Sequence, residues 1–150
     1  MNWRLQQFDE LTARELYLLM KLRQDVFVVE QNCAYADFDG NDFASEHLSA
    51  WEGDEPVAYL RIIPPDMHKS GCPSLGRICT SARVRRTGAG RELVRRGMDR
   101  VAGHWPGKDC QIGAQAYLLR FYESFGFRVN GDGYDEDGIP HFPMRWYARG

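Results

Sequence analysis

The segment Arg83-Val84-Arg85-Arg86-Thr87-Gly88-Ala89-Gly90-Arg91 constrains the fold more than any other part of the chain. A β-rich run from Leu75 to Ser81 ends just before it. An amphipathic pattern, with Leu93, Val94, Met98, Val101 and Ala102 at helical spacing, begins inside it. A strand must therefore pass into a helix across two glycines that bracket one alanine. Glycine lets backbone approach a ligand without a Cβ in the way, and the first N–H groups of a helix have no partner within it. The combination is a cradle for an anion, and the flanking arginines add fixed positive charge. The common mononucleotide fingerprints do not fit, since the segment has neither Gly-Lys-Ser/Thr nor G-x-G-x-x-G. What remains is R-x-x-G-x-G/A, carried by Arg85, Gly88 and Gly90.

The charge pattern agrees. Net charge is −2, yet Arg77, Arg83, Arg85, Arg86, Arg91, Arg95, Arg96 and Arg100 share their stretch with only Glu92 and Asp99. A basic patch in a weakly acidic chain fits one anionic ligand, with several arginines forming the solvated face of a helix. A nucleic-acid surface would bring a strongly basic domain or a recognition motif, and both are missing. The 150 residues fit one domain, 1–150, with 43% hydrophobic content and no low-complexity tract. Cys33, Cys72, Cys79 and Cys110 have no C-x-x-C pairing or zinc-ligand spacing and read as reduced thiols. With no signal segment and no run of membrane-spanning length, a cytoplasmic location without membrane partners is expected.

Thr12 and Glu15 form a capping-box pattern ahead of Leu16, Leu19, Met20, Val26 and Phe27, predicting a helix over about 12–31. Asn32 to Asp42 reads as a loop. His47–Glu52 and Pro56–Ile63 form an antiparallel hairpin about Gly53-Asp54-Glu55, followed by a strand over 74–81. After the cradle helix come a strand at 110–116, a helix at 117–125 stopped by Gly126, a strand at 127–134, and a return strand at 141–147. Helices packed on a mixed sheet make this an α+β fold.

R-x-x-G-x-G/A resembles the coenzyme A loop of the GNAT superfamily of N-acetyltransferases. Phe121-Tyr122-Glu123-Ser124-Phe125-Gly126-Phe127 resembles that superfamily's second signature, in the right order and at similar separation. Val26–Cys33, Gly113-Ala114-Gln115-Ala116 and Tyr134–His141 narrow the likeness to the ElaA-like branch and extend it over nearly the whole chain. The resemblance implies a GNAT-like, mostly antiparallel central sheet flanked by helices, with a bulge in the 75–82 strand. It also implies a splay between that strand and 110–116, where the acetyl-pantetheine arm of acetyl-CoA would lie.

By resemblance, the pyrophosphate goes to the backbone of Arg86, Thr87, Gly88, Ala89, Gly90 and Arg91, with Arg85 and Arg86 as charge partners. Backbone at Ile78, Cys79 and Thr80 pairs with the pantetheine arm and offers an N–H to the thioester carbonyl, and Gln115 lies beside the cofactor. Tyr122 is the general acid that protonates the departing thiolate. Its structural alternative is the packed face of a short aromatic helix. Cys79 reads as an inert core thiol rather than a nucleophile.

The base is open. His47 heads a strand expected to border the acceptor cleft, with Glu30, Asp39, Glu46, Glu136 and His141 as further candidates and a hydrogen-bonded structural role as the alternative for His47. Asp37 to Asp42 lacks the terminal glutamate of a calcium loop, so no metal is expected. Together with Asp135, Glu136 and Asp137, it reads as an acidic wall for a cationic acceptor. The implied activity is transfer of an acetyl group to a primary amine, on a small molecule or a protein, by direct attack in a ternary complex. The alternative is a coenzyme-A-binding sensor without turnover. A homodimer is compatible with exposed aromatics such as Trp3 or Trp146.

Overall fold

The computed structural model describes residues 1–148. In chain order the elements are β1 (Asn2–Gln7), α1 (Ala13–Arg23), β2 (Glu46–Glu52), β3 (Glu55–Ile63), β4 (Ser74–Thr80) and α2 (Ala89–His104). They continue with β5 (Cys110–Gln115), α3 (Leu119–Glu123), β6 (Arg128–Val129), β7 (Tyr134–Glu136) and β8 (Ile139–Trp146). The strands form one mixed sheet in the order β1-β2-β3-β4-β5-β8-β6, with β7 also paired to β8. Every pairing is antiparallel except β4 with β5. The α+β architecture expected from sequence is therefore observed.

Adjacent residues on a strand point to opposite faces, and β3 separates the two cores in this way. Leu60 and Ile62 join Leu93, Val94 and Val101 of α2, while Tyr59 joins Leu19, Met20 and Leu22 of α1 with Trp51 and Cys79. Each fully buried aliphatic side chain contributes about 1.5–3 kcal/mol relative to exposure. Helix α2 lies close to the sheet because Gly97 has no side chain. A Cβ there would stand 3.0 Å from Leu60 Cδ2 and 3.2 Å from Leu75 Cδ1.

The capping box forms as expected: the Glu15 N–H donates to Thr12 Oγ1 at 3.0 Å, and the Thr12 N–H donates to Glu15 Oε1 at 2.9 Å. Three local expectations need correction. The helix over 12–31 is α-helical only to Arg23, and Gln24–Glu30 continues as a wider π-type turn. The strand expected at 127–134 is split into β6 and β7. Strand β1 was not expected, because its six residues NWRLQQ carry only two apolar side chains.

Candidate active site

Strand β4 carries the first feature of the site. Tyr59 lies opposite Cys79, but Arg61, two residues further along β3, lies opposite Gly76, three residues back along β4. The extra residue is a β-bulge, and Arg77 within it has φ +50°. On its other side β4 meets β5 in register at one pair only, Ser74 with Gln111. Beyond that pair the strands part, leaving the edge of β4 from the bulge to Thr80 free of β5. The bulge and the splay implied by the resemblance are both present.

The cradle follows directly. Gly88 caps α2 with φ +90°, a left-handed conformation that side chains rarely adopt. Its carbonyl accepts the first helical bond, from the Glu92 N–H at 3.0 Å, so the amides of Ala89, Gly90 and Arg91 precede the helical ladder and are available to an anion. Buried Ala89 anchors this turn in the core. The Arg91 guanidinium lies 4.9 Å from the Phe125 ring centre and donates to Ser124 Oγ at 3.2 Å, tying the start of α2 to α3. Arg86 is exposed at φ +64° and makes no ion pair among the described residues. Exposed Thr87 bonds back on the turn, its hydroxyl donating to the Val84 carbonyl.

Arg85 is already engaged: its guanidinium forms a two-pronged pair with Glu30, with Nη2 2.7 Å from Oε2, and the same nitrogen donates to the Thr80 carbonyl at 2.9 Å. Its neighbour on the other wall is a second link. Gln31 exchanges amide hydrogen bonds with Gln115 at the end of β5, at 3.3 and 3.4 Å. Consecutive residues of one turn thus reach the ends of both splayed strands. Neither partnership was visible in the sequence, because the residues lie 55 and 84 positions apart.

Tyr122 is 5% exposed and packs edge-on against Phe121 and Phe127. Among the described residues its hydroxyl has no hydrogen-bond partner. Burial pushes its pKa up, so the group carries a proton at neutral pH. Cys79 itself is buried, and that burial pushes its thiol up to about 12, which denies it the thiolate a nucleophile needs. Ile78 and Thr80 on either side of it are half-buried.

The candidate bases separate cleanly. His47 is 0% exposed; its Nε2–H donates to the Asp42 carbonyl at 2.9 Å, and its Nδ1 accepts from the Tyr59 hydroxyl at 2.7 Å. With both ring nitrogens engaged away from the cradle, His47 is a structural residue, which corrects its assignment as base. Glu46 is buried against Arg100 at 2.6 Å and Gln7 at 2.9 Å. His141 Nδ1 donates to the Ile139 carbonyl at 2.7 Å, and Nε2 lies 3.2 Å from the exposed Glu136 carboxylate. The ring stacks on Tyr134 and pairs in register with Gln115. His141 and Glu136 therefore sit on the same wall as Gln115, where His47 does not.

The acidic loop is also corrected. Asp37, Asp39 and Asp42 form no open wall, since Arg23, Arg61 and Arg77 neutralise them. Arg23 Nη1 lies 2.7 Å from Asp42 and Nε lies 3.0 Å from Asp37, while Arg61 grips Asp39 at 2.6 and 2.8 Å. Burial alone would raise the Asp39 pKa, but its bonds to Arg61 and to the Asn41 N–H hold it well below the usual carboxylate range. The sequence did contain a signal. Arg23 adjoins Leu22 on a buried helix face and Arg61 interrupts the apolar run of β3, so both demanded acidic partners.

Residues 19–148 match the family model described as an acetyltransferase (GNAT) domain, so the chain belongs to the GNAT family of N-acyltransferases. Within it the chain is ElaA-like. It is 41% identical to Protein ElaA of Escherichia coli over 145 residues, covering 95% of this chain and 94% of that protein. The crystal structure of E. coli ElaA superposes with a TM-score of 0.90 at 39% identity, covering 97% of this chain and 99% of that one. An acyl-CoA N-acyltransferase from Pseudomonas aeruginosa superposes with a TM-score of 0.92 at 37% identity and the same coverage.

Proposed function

We propose that the protein transfers the acetyl group of acetyl-CoA to a primary amine by direct attack within a ternary complex. The observation that carries this reading is the splay of β4 from β5, held by a single residue pair and leading to the Gly88-capped start of α2. An extended thioester arm fits the gap. Its pyrophosphate fits the amides from Arg86 to Arg91, where the helix start favours negative charge.

Chemically, the amine nitrogen attacks the thioester carbonyl carbon, the carbon–sulfur bond breaks, and the thiolate takes the proton of Tyr122. Backbone N–H groups beyond the β4 bulge, at Ile78 to Thr80, stabilise the oxyanion; loss of such a donor typically slows turnover about 100- to 1,000-fold. The unpartnered Tyr122 hydroxyl, held protonated by burial, suits an acid with one task. On the acceptor side we assign the amine proton to the exposed Glu136 carboxylate, which lies 3.2 Å from His141 on the Gln115 wall. The incoming amine would pass the open pocket of about 510 Å³ lined by Gln24, Val28, Val29, Tyr35, Asp37 and Phe38. The free thiols Cys33, Cys72, Cys79 and Cys110 support a cytosolic setting.

A binding-only sensor is the second reading, favoured by the pairing of Arg85 with Glu30, which leaves the cradle partly occupied by the protein itself. Release of free CoA across polyamines, amino acids, aminoglycosides and peptides separates the two. Amine-dependent release supports the transferase, and silence across the panel, with acetyl-CoA binding intact, supports the sensor.

A further inference from the structure

Arg85 is the cation that the R-x-x-G-x-G/A pattern offers to an incoming pyrophosphate, yet Glu30 already holds it in a two-pronged pair. The same guanidinium caps the Thr80 carbonyl on the part of β4 that β5 has left. Glu30 closes the π-type turn Gln24–Glu30, and the next residue, Gln31, is bonded to Gln115 on β5. The turn is therefore strapped across the mouth of the splay, to the β4 side through Arg85 and to the β5 side through Gln115.

We propose that Glu30 is a built-in competitor of coenzyme pyrophosphate for Arg85, and that coenzyme binding exchanges one anion for the other and unlatches the turn from β4. The proposal rests on the acetyl-CoA reading of the cradle. The exchange favours the coenzyme electrostatically. A pyrophosphate brings two negative charges to a site where exposed Arg86 and the start of α2 already wait, and Glu30 is the one acidic side chain paired with Arg85 among the described residues. The exposed Arg85–Glu30 pair is weak enough to yield, since such pairs contribute only about 0.2–1 kcal/mol. A π-type turn is also a rare departure from the α-helix that is frequently found at functional sites.

The sign of the effect distinguishes competition from simple support. Glu30→Gln keeps the shape of the side chain and removes the competing charge. Isothermal titration with acetyl-CoA should give binding about two- to five-fold tighter than wild type, the range set by one exposed ion pair. The gain should vanish when Arg85 is already Gln, and amide exchange across residues 24–31 of the wild type should quicken when acetyl-CoA is added. Unchanged or weaker binding by Glu30→Gln would overturn the proposal, as would a gain that survives Arg85→Gln or amides that slow on binding. If wild type fails to bind acetyl-CoA at all, the cradle reading itself falls and takes this proposal with it; binding by wild type with no response at Glu30 removes the proposal alone.

Discussion

The Tyr59 hydroxyl donates to His47 Nδ1 at 2.7 Å, diagonally across the β2–β3 hairpin, and fixes the opposite ring nitrogen as donor to the Asp42 carbonyl. Burial holds this ring neutral by lowering its pKa from an ordinary value near 6.5. The unfolded chain, by contrast, binds the proton below that pH. The unfolded state therefore takes up more protons on acidification, and stability falls as pH drops through about 6.5. Urea unfolding between pH 5 and 8 should show this slope. In His47→Phe the slope should flatten, at a cost of about 1–3 kcal/mol for the polar groups left unpaired. An undiminished slope in the variant would assign it to another group.

A second acid transition belongs to the aspartates. Asp39 and Asp42 are held below the ordinary carboxylate value of 3.8, despite the opposing effect of burial, by their arginine partners. Their contribution is present above that value and is lost as pH falls from it through their lower folded values. Arg23→Met strips Asp37 and Asp42 of a fully buried partner. Breaking such a pair from one side costs about 3–5 kcal/mol, measurable as a lower urea midpoint at pH 7.

Tyr122→Phe removes a hydroxyl with no partner among the described residues and keeps the ring that packs on Phe121 and Phe127. Stability and acetyl-CoA affinity should change little, while amine-dependent CoA release should fall about 100-fold or more, within the range of a positioned general acid. Equal turnover in the variant would return Tyr122 to a packing role.

Helix α2 offers an internal control. Gly97→Val drives a branched side chain into Leu60 and Leu75, where even a Cβ stands at 3.0–3.2 Å, and should destabilise by about 1–3 kcal/mol or more. Gly103→Ala, on the same helix with no described atom beyond the local helix backbone within 4 Å of the new Cβ, should stabilise by up to about 1 kcal/mol. Thermal melts of the two variants should move in opposite directions.

Local rules carried much of the fold and part of the site. The β2–β3 hairpin, the Thr12–Glu15 box, the Gly88 turn and the Tyr122 helix each depend on residues within a few positions of one another, and all were legible. The role of His47 was not, because it is defined by Tyr59, 12 residues away on β3, and by the carbonyl of Asp42, 5 residues away in a loop without regular pattern. Arg85 was legible as a cation but not as a paired one, since Glu30 reaches it only through the fold. The π-type turn was hidden because Val26 and Phe27 continue the apolar spacing of α1. Strand β1 was hidden because it is a polar edge strand, with Trp3 sheltered beneath Arg96 at 4.6 Å.

Titration of acetyl-CoA into wild type and Gly90→Leu tests the coenzyme cradle most directly. A Cβ at Gly90 already touches Phe121 Cζ and Thr80 Cγ2 at 3.9 Å, so a leucine must project into the cradle or displace these neighbours. One acetyl-CoA per wild-type chain and no detectable binding by a folded Gly90→Leu is the expected result. Absence of binding by wild type, or equal affinity in the two proteins, would contradict it.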